Sequence, residues 1–323
     1  MTTVPGAAGR RLPFGLSGGT FQIQEYALLG VVIVLIIAGA ILEPDVFPTS
    51  DNILNVLRQS SVIGVLAIGM TFVIATGGID LSVGSMVAAA AVVGGQFAES
   101  GSLAFLLGAI GMGMLLGGIN AGLIAYGKVV PFIATLAMFA MARGLALWIS
   151  DKTPITIFDL EGVRWFGTGE VLGIPSAVIV FLAVAVGAWM LLNRTSYGRH
   201  VIAVGGNREA ARIAGVKVSR IIFSVYVISG ICVAISAILV SGRLSSASPV
   251  IGTLYELDAI AAVVIGGTVL QGGRATIVGT VLGVLTFALI FNLMTLMDLA
   301  VEIQQVTKGL IIVAAVLLQT RRT

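Results

Sequence analysis

Hydrophobic positions in this chain come in long runs separated by short polar stretches. Ten runs are evident, at about Tyr26–Leu42, Ile53–Thr76, Ser82–Ala98, Leu103–Ala125 and Val130–Ser150, then at about Pro175–Asn193, Ile221–Ser241, Leu257–Gln271, Ala275–Met297 and Ile303–Thr320. Most approach the roughly 20 residues that an α-helix needs to cross the hydrocarbon of a bilayer. No period-two alternation of lumen and lipid faces is present, which excludes a transmembrane β-barrel. The pattern predicts an all-α polytopic membrane protein with about ten transmembrane helices in one transmembrane domain over 1–323. It carries a polar tail over 1–25, a large outer loop over 151–174 and a basic loop over 193–220.

That basic loop organises the rest. Six of the eighteen Lys and Arg residues fall in it: Arg194, Arg199, Arg208, Arg212, Lys217 and Arg220, beside the only histidine, His200, and one acid, Glu209. Loops rich in Lys and Arg are retained on the cytoplasmic side during insertion, so the island sets the orientation. Inside it, Gly205-Gly206 breaks the chain and Asn207 offers a side-chain acceptor to a free first-turn N–H. A helix is expected from Arg208 to about Ala214, stopped by Gly215 in the left-handed conformation. Two readings are open. The segment is a solvated loop helix, or it is a docking knob in which Ala210, Ala211 and Ala214 permit close approach while Arg208 and Arg212 bond a partner's carboxylates.

With the N-terminus inside, ten crossings return the C-terminus to the cytoplasm. Twelve of the eighteen basic residues then fall inside (Arg10, Arg11, Lys128, the six above, Arg274, Arg321 and Arg322), and twelve of the fifteen acids fall outside. Acids do little to set topology, so their bias reflects solubilised outer loops or an acidic landing surface. Two spans are short. One follows Gly77-Gly78 and starts at Asp80; the other starts at Asp258, 178 residues later, and each aspartate precedes a glycine pair at the same spacing, Gly94-Gly95 and Gly272-Gly273. They cross in opposite directions, the pattern of an inverted repeat, and short or glycine-broken spans at matching places point to a substrate path. Three further glycine pairs spaced four apart (Gly113/Gly117, Gly118/Gly122, Gly279/Gly283) are expected to pack span on span.

Composition agrees with a membrane chain. The sequence is 58% hydrophobic and 10% charged with a mean hydropathy of +1.09, against roughly 25% charged residues in soluble domains. Basic residues are not interleaved with aromatics as on a nucleic-acid surface, so no nucleic-acid partner is expected. Cys232 stands alone in an apolar run, so neither an intrachain disulfide nor a metal site is expected. Arg10-Arg11 lies too far from the first apolar run for a twin-arginine signal, and Ala38-Gly39-Ala40 lies inside an unbroken span. An uncleaved first span follows. No GxxxxGK[ST] loop is present to cradle a nucleotide, and no hydrolytic constellation appears.

The candidate path or gate residues each have a plainer role. Asp80 and Asp258 cap their helices, or Asp80, after its tight turn, sits partly buried as a gate. Arg143 lies within a span, facing a pathway or partner, or snorkelling to the outer interface. Asn120 and Asn292 bond helix to helix or meet a passing hydroxyl. Phe132, Thr135 and Met138, after Pro131, share a face that lines a path or packs against core or lipid.

Glu209-Ala210-Ala211, three residues, then Gly215 resembles the EAA-x3-G signature of ABC-importer permeases. Four longer stretches resemble the ribose-type sugar permeases: GMTFVIATGGIDLSVGS from Gly69, PFIATLAMFAMARG from Pro131, AVGGNREAARIAGV from Ala203 and YELDAIAAVVIGGTVLQGG from Tyr255. Together these matches spread over about two-thirds of the chain in the family's order. The resemblance implies the type II ABC-importer permease fold with an inverted internal repeat, in a bacterial cytoplasmic membrane. It implies a second permease copy or related chain, a cytoplasmic ATPase that binds ATP and Mg, a periplasmic or lipid-anchored binding protein, and a monosaccharide substrate. No cofactor or catalytic residue is then expected on this chain. Asn207, Arg208, Glu209, Ala210, Ala211, Arg212 and Gly215 would form the coupling element. A nucleoside importer of the same architecture is the alternative. An ion-coupled carrier is disfavoured, since no acid lies in the middle of a span, and a membrane scaffold leaves the basic island unexplained.

Overall fold

A computed structural model describes residues 18–320, with side chains over 25–317; the charges at Arg10, Arg11, Arg321 and Arg322 lie outside this description. The chain is mostly helical: α1 (Gly18–Leu42), α2 (Ser50–Ala75), α3 (Val83–Gln96), α4 (Ser102–Ala125), α5 (Pro131–Ile149), α6 (Glu161–Thr168), α7 (Ser176–Arg194), α8 (Ser196–Gly206), α9 (Arg208–Ile213), α10 (Val218–Leu244), α11 (Tyr255–Ile265), α12 (Ile277–Leu296) and α13 (Val301–Thr320). Four two-residue strands make two small antiparallel pairings. β1 (Ile155–Thr156) pairs with β4 (Ser246–Ala247), and β2 (Glu170–Val171) pairs with β3 (Ile174–Pro175).

Seven of the helices, α1, α2, α4, α5, α7, α10 and α12, are long and apolar enough to cross a membrane. The apolar runs locate helix boundaries to within a few residues, with two exceptions: α1 starts at Gly18, inside the polar tail expected over 1–25, and α11 ends early. The eighth run was expected to reach Gln271, but α11 stops at Ile265 because Gly267 turns left-handed (φ +92°) and the next residues form a loop. Helices α6 and α8 and the four strands carry no long apolar run and escape the hydrophobic pattern.

Local sequence sets the helix ends. Thr49 accepts from the Asn52 N–H and caps α2, Thr276 does the same for α12 through the Gly279 N–H, and Pro131 opens α5, where its missing N–H costs nothing. In packing, α2 and α10 form the axis, since the apolar stretch of α2 is 83% buried whereas that of α1 is only 11%. Helix α10 lies along α4, α2, α3 and α6, and α12 lies along α1, α2 and α11.

Close backbone approach explains part of this. Gly113 and Gly117 of α4 face Gly230 of α10, where a Cβ on Gly117 would stand 2.8 Å from the Gly230 Cα. Gly279 and Gly283 similarly meet α11 at Gly266 and Ala262. The expected third pair packs against no other helix of this chain: a Cβ built on Gly118 or Gly122 would have no neighbour within 4 Å beyond its own helix. The two aspartate–glycine spacings are also not structurally equivalent. Gly94 and Gly95 are helical within α3, whereas Gly272 and Gly273 are left-handed (φ +87° and +78°) beyond the end of α11.

Neighbouring glycines on α4 therefore behave differently on substitution. Gly117→Leu should destabilise by at least about 1–3 kcal/mol through overpacking, while Gly118→Leu should stay within about 0.5 kcal/mol. Thermal unfolding in detergent checks this; equal losses would refute the α4–α10 contact.

Candidate functional site

The predicted site residues fall into three groups. The first is the island. Asn207 accepts from the Ala210 N–H at 2.9 Å, capping α9. Gly215 (φ +84°) ends it, its N–H bonding the Arg212 carbonyl while the Val216 N–H reaches back to the Ala211 carbonyl. Helix α9 is one residue shorter than expected, ending at Ile213. Its guanidinium groups are turned to the chain itself. Arg212 makes two bonds to Glu209, through Nε at 3.0 Å and Nη2 at 2.5 Å, and Arg208 Nη2 donates to the Thr76 carbonyl at 3.3 Å. Ala211 is buried against the body, while Ala210 and Ile213 (75% exposed) face outward.

The Arg212 guanidinium holds the Glu209 carboxyl below the usual carboxylate range. The pair therefore supports α9 fully above the ordinary carboxylate pKa, and that support fades as pH falls through the lowered value. Both groups are fully exposed, so the contribution is screened.

The second group lies where α2 ends and α3 begins. Asp80 is fully buried, its carboxylate accepting from the Ser82 N–H (3.0 Å), the Ser82 hydroxyl (2.5 Å) and the Ser229 hydroxyl of α10 (3.2 Å). Asn120 of α4 donates to Ser82 Oγ at 2.9 Å, and Thr135 of α5 donates to the Ile79 carbonyl at 3.2 Å. Three predicted residues thus meet in one network that ties α3 to α4, α5 and α10. Asp80 is wholly rather than partly buried, and Phe132 does not belong with it. Thr135 and Met138 are buried while Phe132 is 54% exposed, so the three do not share a face.

The third group lines a cavity of about 410 Å³ at the other end of α2, between α2, α10, α11, α12 and α13. Asn292 and Asn52 exchange amide hydrogen bonds across it (3.2 and 2.7 Å). Asp258 does not cap α11; it pairs with Lys308 of α13, each side chain about 15% exposed. Lys308 also stands 5.3 Å from the Phe291 ring centroid, and Phe287 and Phe291 are adjacent at 4.6 Å. Arg143 is elsewhere, donating to the Pro249 (2.5 Å) and Ile251 (3.1 Å) carbonyls and clamping the loop before α11.

Several lining residues were missed. Asn52, Asn55 and Gln59 recur on one face of α2 at i, i+3, i+7, and Gln304 and Lys308 on α13 at i, i+4. Polar residues at helical spacing within otherwise apolar runs were the available signal. The volume is at the lower end of the roughly 300–1,000 Å³ of small-molecule sites, and amides, a charged pair and two aromatic rings are a lining suited to a small polar ligand. Among the described residues no group of three His, Cys, Asp or Glu is placed to hold a metal ion.

Removing one partner of a buried ion pair leaves the other uncompensated. Lys308→Met should therefore cost roughly 3–5 kcal/mol, and adding Asp258→Leu should recover most of it. Unfolding in detergent checks this; a double variant no better than the single one would show that the pair does not hold α13 to α11.

Comparison with known proteins supplies the lineage. The family described as branched-chain amino acid transport system, permease component, matches residues 52–316. The ribose import permease of Haemophilus influenzae is 41% identical over 304 residues, covering 93% of this chain and 94% of that one. That of Bacillus subtilis is 46% identical, covering 91% and 92%. The D-allose transport system permease of Escherichia coli K12 is 34% identical, covering 98% and 97%. No solved structure matches the chain. These relatives are permease components rather than enzymes, and ATP hydrolysis rests with a separate ATPase. The chain belongs to this permease family, as a ribose-type ABC permease.

Proposed function

We propose that this permease carries a monosaccharide, ribose or a close relative, and that the α2–α12–α13 cavity is part of the path. The observation that carries the reading is the lining. Asn52, Asn55, Gln59, Asn292 and Gln304 both donate and accept, matching vicinal hydroxyls, while Phe287 and Phe291 offer apolar faces to a sugar's C–H surface. Relatives named for ribose and for D-allose support the class. Asp258 and Asn292 are the path residues of this reading. Asp80, Asn120 and Thr135 hold the broken α2–α3 segment beside the path, and Arg143 holds the loop leading into α11. Phe132 faces out of the chain, toward lipid or a second permease copy. The aromatic pair also suits a nucleobase, so a nucleoside is the competitor to test.

We further propose ten crossings, with α3 and α11 as short spans running in opposite directions in an inverted repeat. Supporting this, Glu25 near the start of α1 accepts from Thr276 at the start of α12, and Gln96 at the end of α3 donates to the Ile149 carbonyl at the end of α5. The α8–α9 end is cytoplasmic, with both termini, and the cavity end faces the periplasmic or lipid-anchored binding protein. Helix α9 docks on the ATPase, which binds ATP and Mg, through Glu209, Ala210 and Ile213. The Arg208 guanidinium is tied back to the Thr76 carbonyl, and that of Arg212 lies on the exposed face of the knob, paired with Glu209.

Orientation is tested with impermeant thiol reagents on intact cells. A cysteine at Asn207 should resist labelling and one at Glu161 should label; the reverse would overturn the map. Docking is tested in reconstituted transporter. Gly215→Val has room for its side chain but not for its left-handed backbone, and Glu209→Lys reverses an exposed charge. Both variants should insert, and both should lose the ATP hydrolysis that the loaded binding protein stimulates. Wild-type stimulation in both would sink the docking role of α9.

A further inference from the structure

The last turn of α2 meets the island through bare backbone. Gly205 ends α8 so close that a Cβ there would collide with the Ala75 carbonyl oxygen and stand 2.5 Å from the Gly273 nitrogen. That nitrogen itself donates to the Ala75 carbonyl at 3.0 Å. Gly272 closes the contact from the loop between α11 and α12, where a Cβ would lie 2.7 Å from the Gly77 nitrogen and 3.0 Å from the Gly205 oxygen. Arg208 of α9 adds its bond to the Thr76 carbonyl. At this point α8, α2 and the loop that leads into α12 meet backbone to backbone, while farther along α8 Tyr197 meets Phe72 of α2 through their rings (centroids 6.5 Å apart). Close-packed interfaces of this kind shift between discrete arrangements instead of deforming gradually.

From this junction α2 and α12 run together to the cavity. They are bonded near the junction by Thr71 and Thr280, whose hydroxyls are 2.8 Å apart, and at the far end by Asn52 and Asn292. Helix α2, with 26 residues, is about 39 Å long. Helix α13, which supplies Gln304 and Lys308 to the opposite wall, packs chiefly on α11.

We propose that the backbone junction of Gly77, Gly205, Gly272 and Gly273 is a relay: it makes α8 and α9 carry α2 and α12 as one blade, so that a push on α9 changes the width of the cavity against α13. The proposal rests on the reading of α9 as the ATPase docking element and adds the route by which the push reaches the path. A docking knob on a compliant loop would need no such contact.

The test uses the full chain in complex with its ATPase and spin-label pairs introduced through exposed positions. A pair at Ala203 and Gln271 spans the junction, and a pair at Asn55 and Gln305 spans the cavity. On addition of ATP with vanadate, the cavity pair should change separation and the junction pair should not. Gly205→Ala should keep ATPase association but lose the change at the cavity. Gly206→Ala, whose Cβ would meet nothing closer than 3.9 Å, should retain it.

A junction pair that separates in the wild type would overturn the relay, as would an undiminished cavity change in Gly205→Ala. Should Gly205→Ala fail to reach the membrane, the two wild-type pairs still decide. A wild-type chain that binds no ATPase in a pull-down refutes the docking reading first and the relay with it, and is told apart from relay failure by that binding measurement.

Discussion

A broken helix leaves backbone carbonyls that its own turns no longer satisfy, and where the break is packed within the protein other segments must supply the donors. The break between α2 and α3 shows how strongly this organises the molecule. Three carbonyls there are answered from three different places: Ala75 by the Gly273 N–H, Thr76 by Arg208 and Ile79 by Thr135. The α11–α12 loop, the island helix and α5 are thereby fixed to one point. Asp80 then fastens the start of α3 to α10 through Ser229, and Ser82 extends the fastening to Asn120 on α4.

This arrangement separates roles that the sequence leaves together. Asp80, Asn120 and Thr135 lie at the break, whereas Asp258 and Asn292 lie at the other end of α2 in a cavity. A structural knot and a ligand-sized space are thus joined by a single stiff helix. The island and the break lie at one end of α2 and the cavity at the other, the arrangement on which the proposed coupling of a partner to a substrate path rests. Asn52 and Asn292 bond α2 to α12 where the cavity opens.

Much of the fold was legible because burial in hydrocarbon demands long apolar runs, and each of those runs contains a helix, with ends mostly within a few residues. The cap at Asn207 and the stop at Gly215 were equally legible, since each depends on one residue's own chemistry. What could not be read were contacts between distant segments. Gly205, Gly272 and Gly273 look like loop glycines until α8 is seen against α2, and the glycine pairs at matched spacing after Asp80 and Asp258 take different backbone conformations, one helical and one left-handed. The cavity was half visible: Asp258 and Asn292 drew notice as polar residues, while Lys308 was hidden because its partner stands on a helix fifty residues away.

The central claim is ATP-driven entry of a monosaccharide along this chain, and uptake into proteoliposomes tests it most directly. With the ATPase, the binding protein and ATP supplied, labelled D-ribose should accumulate, should continue when a protonophore dissipates the gradient, and should be displaced by related sugars rather than by a nucleoside. Uptake that stops with the proton gradient while ATP remains, or that a nucleoside abolishes and a sugar does not, would contradict the account.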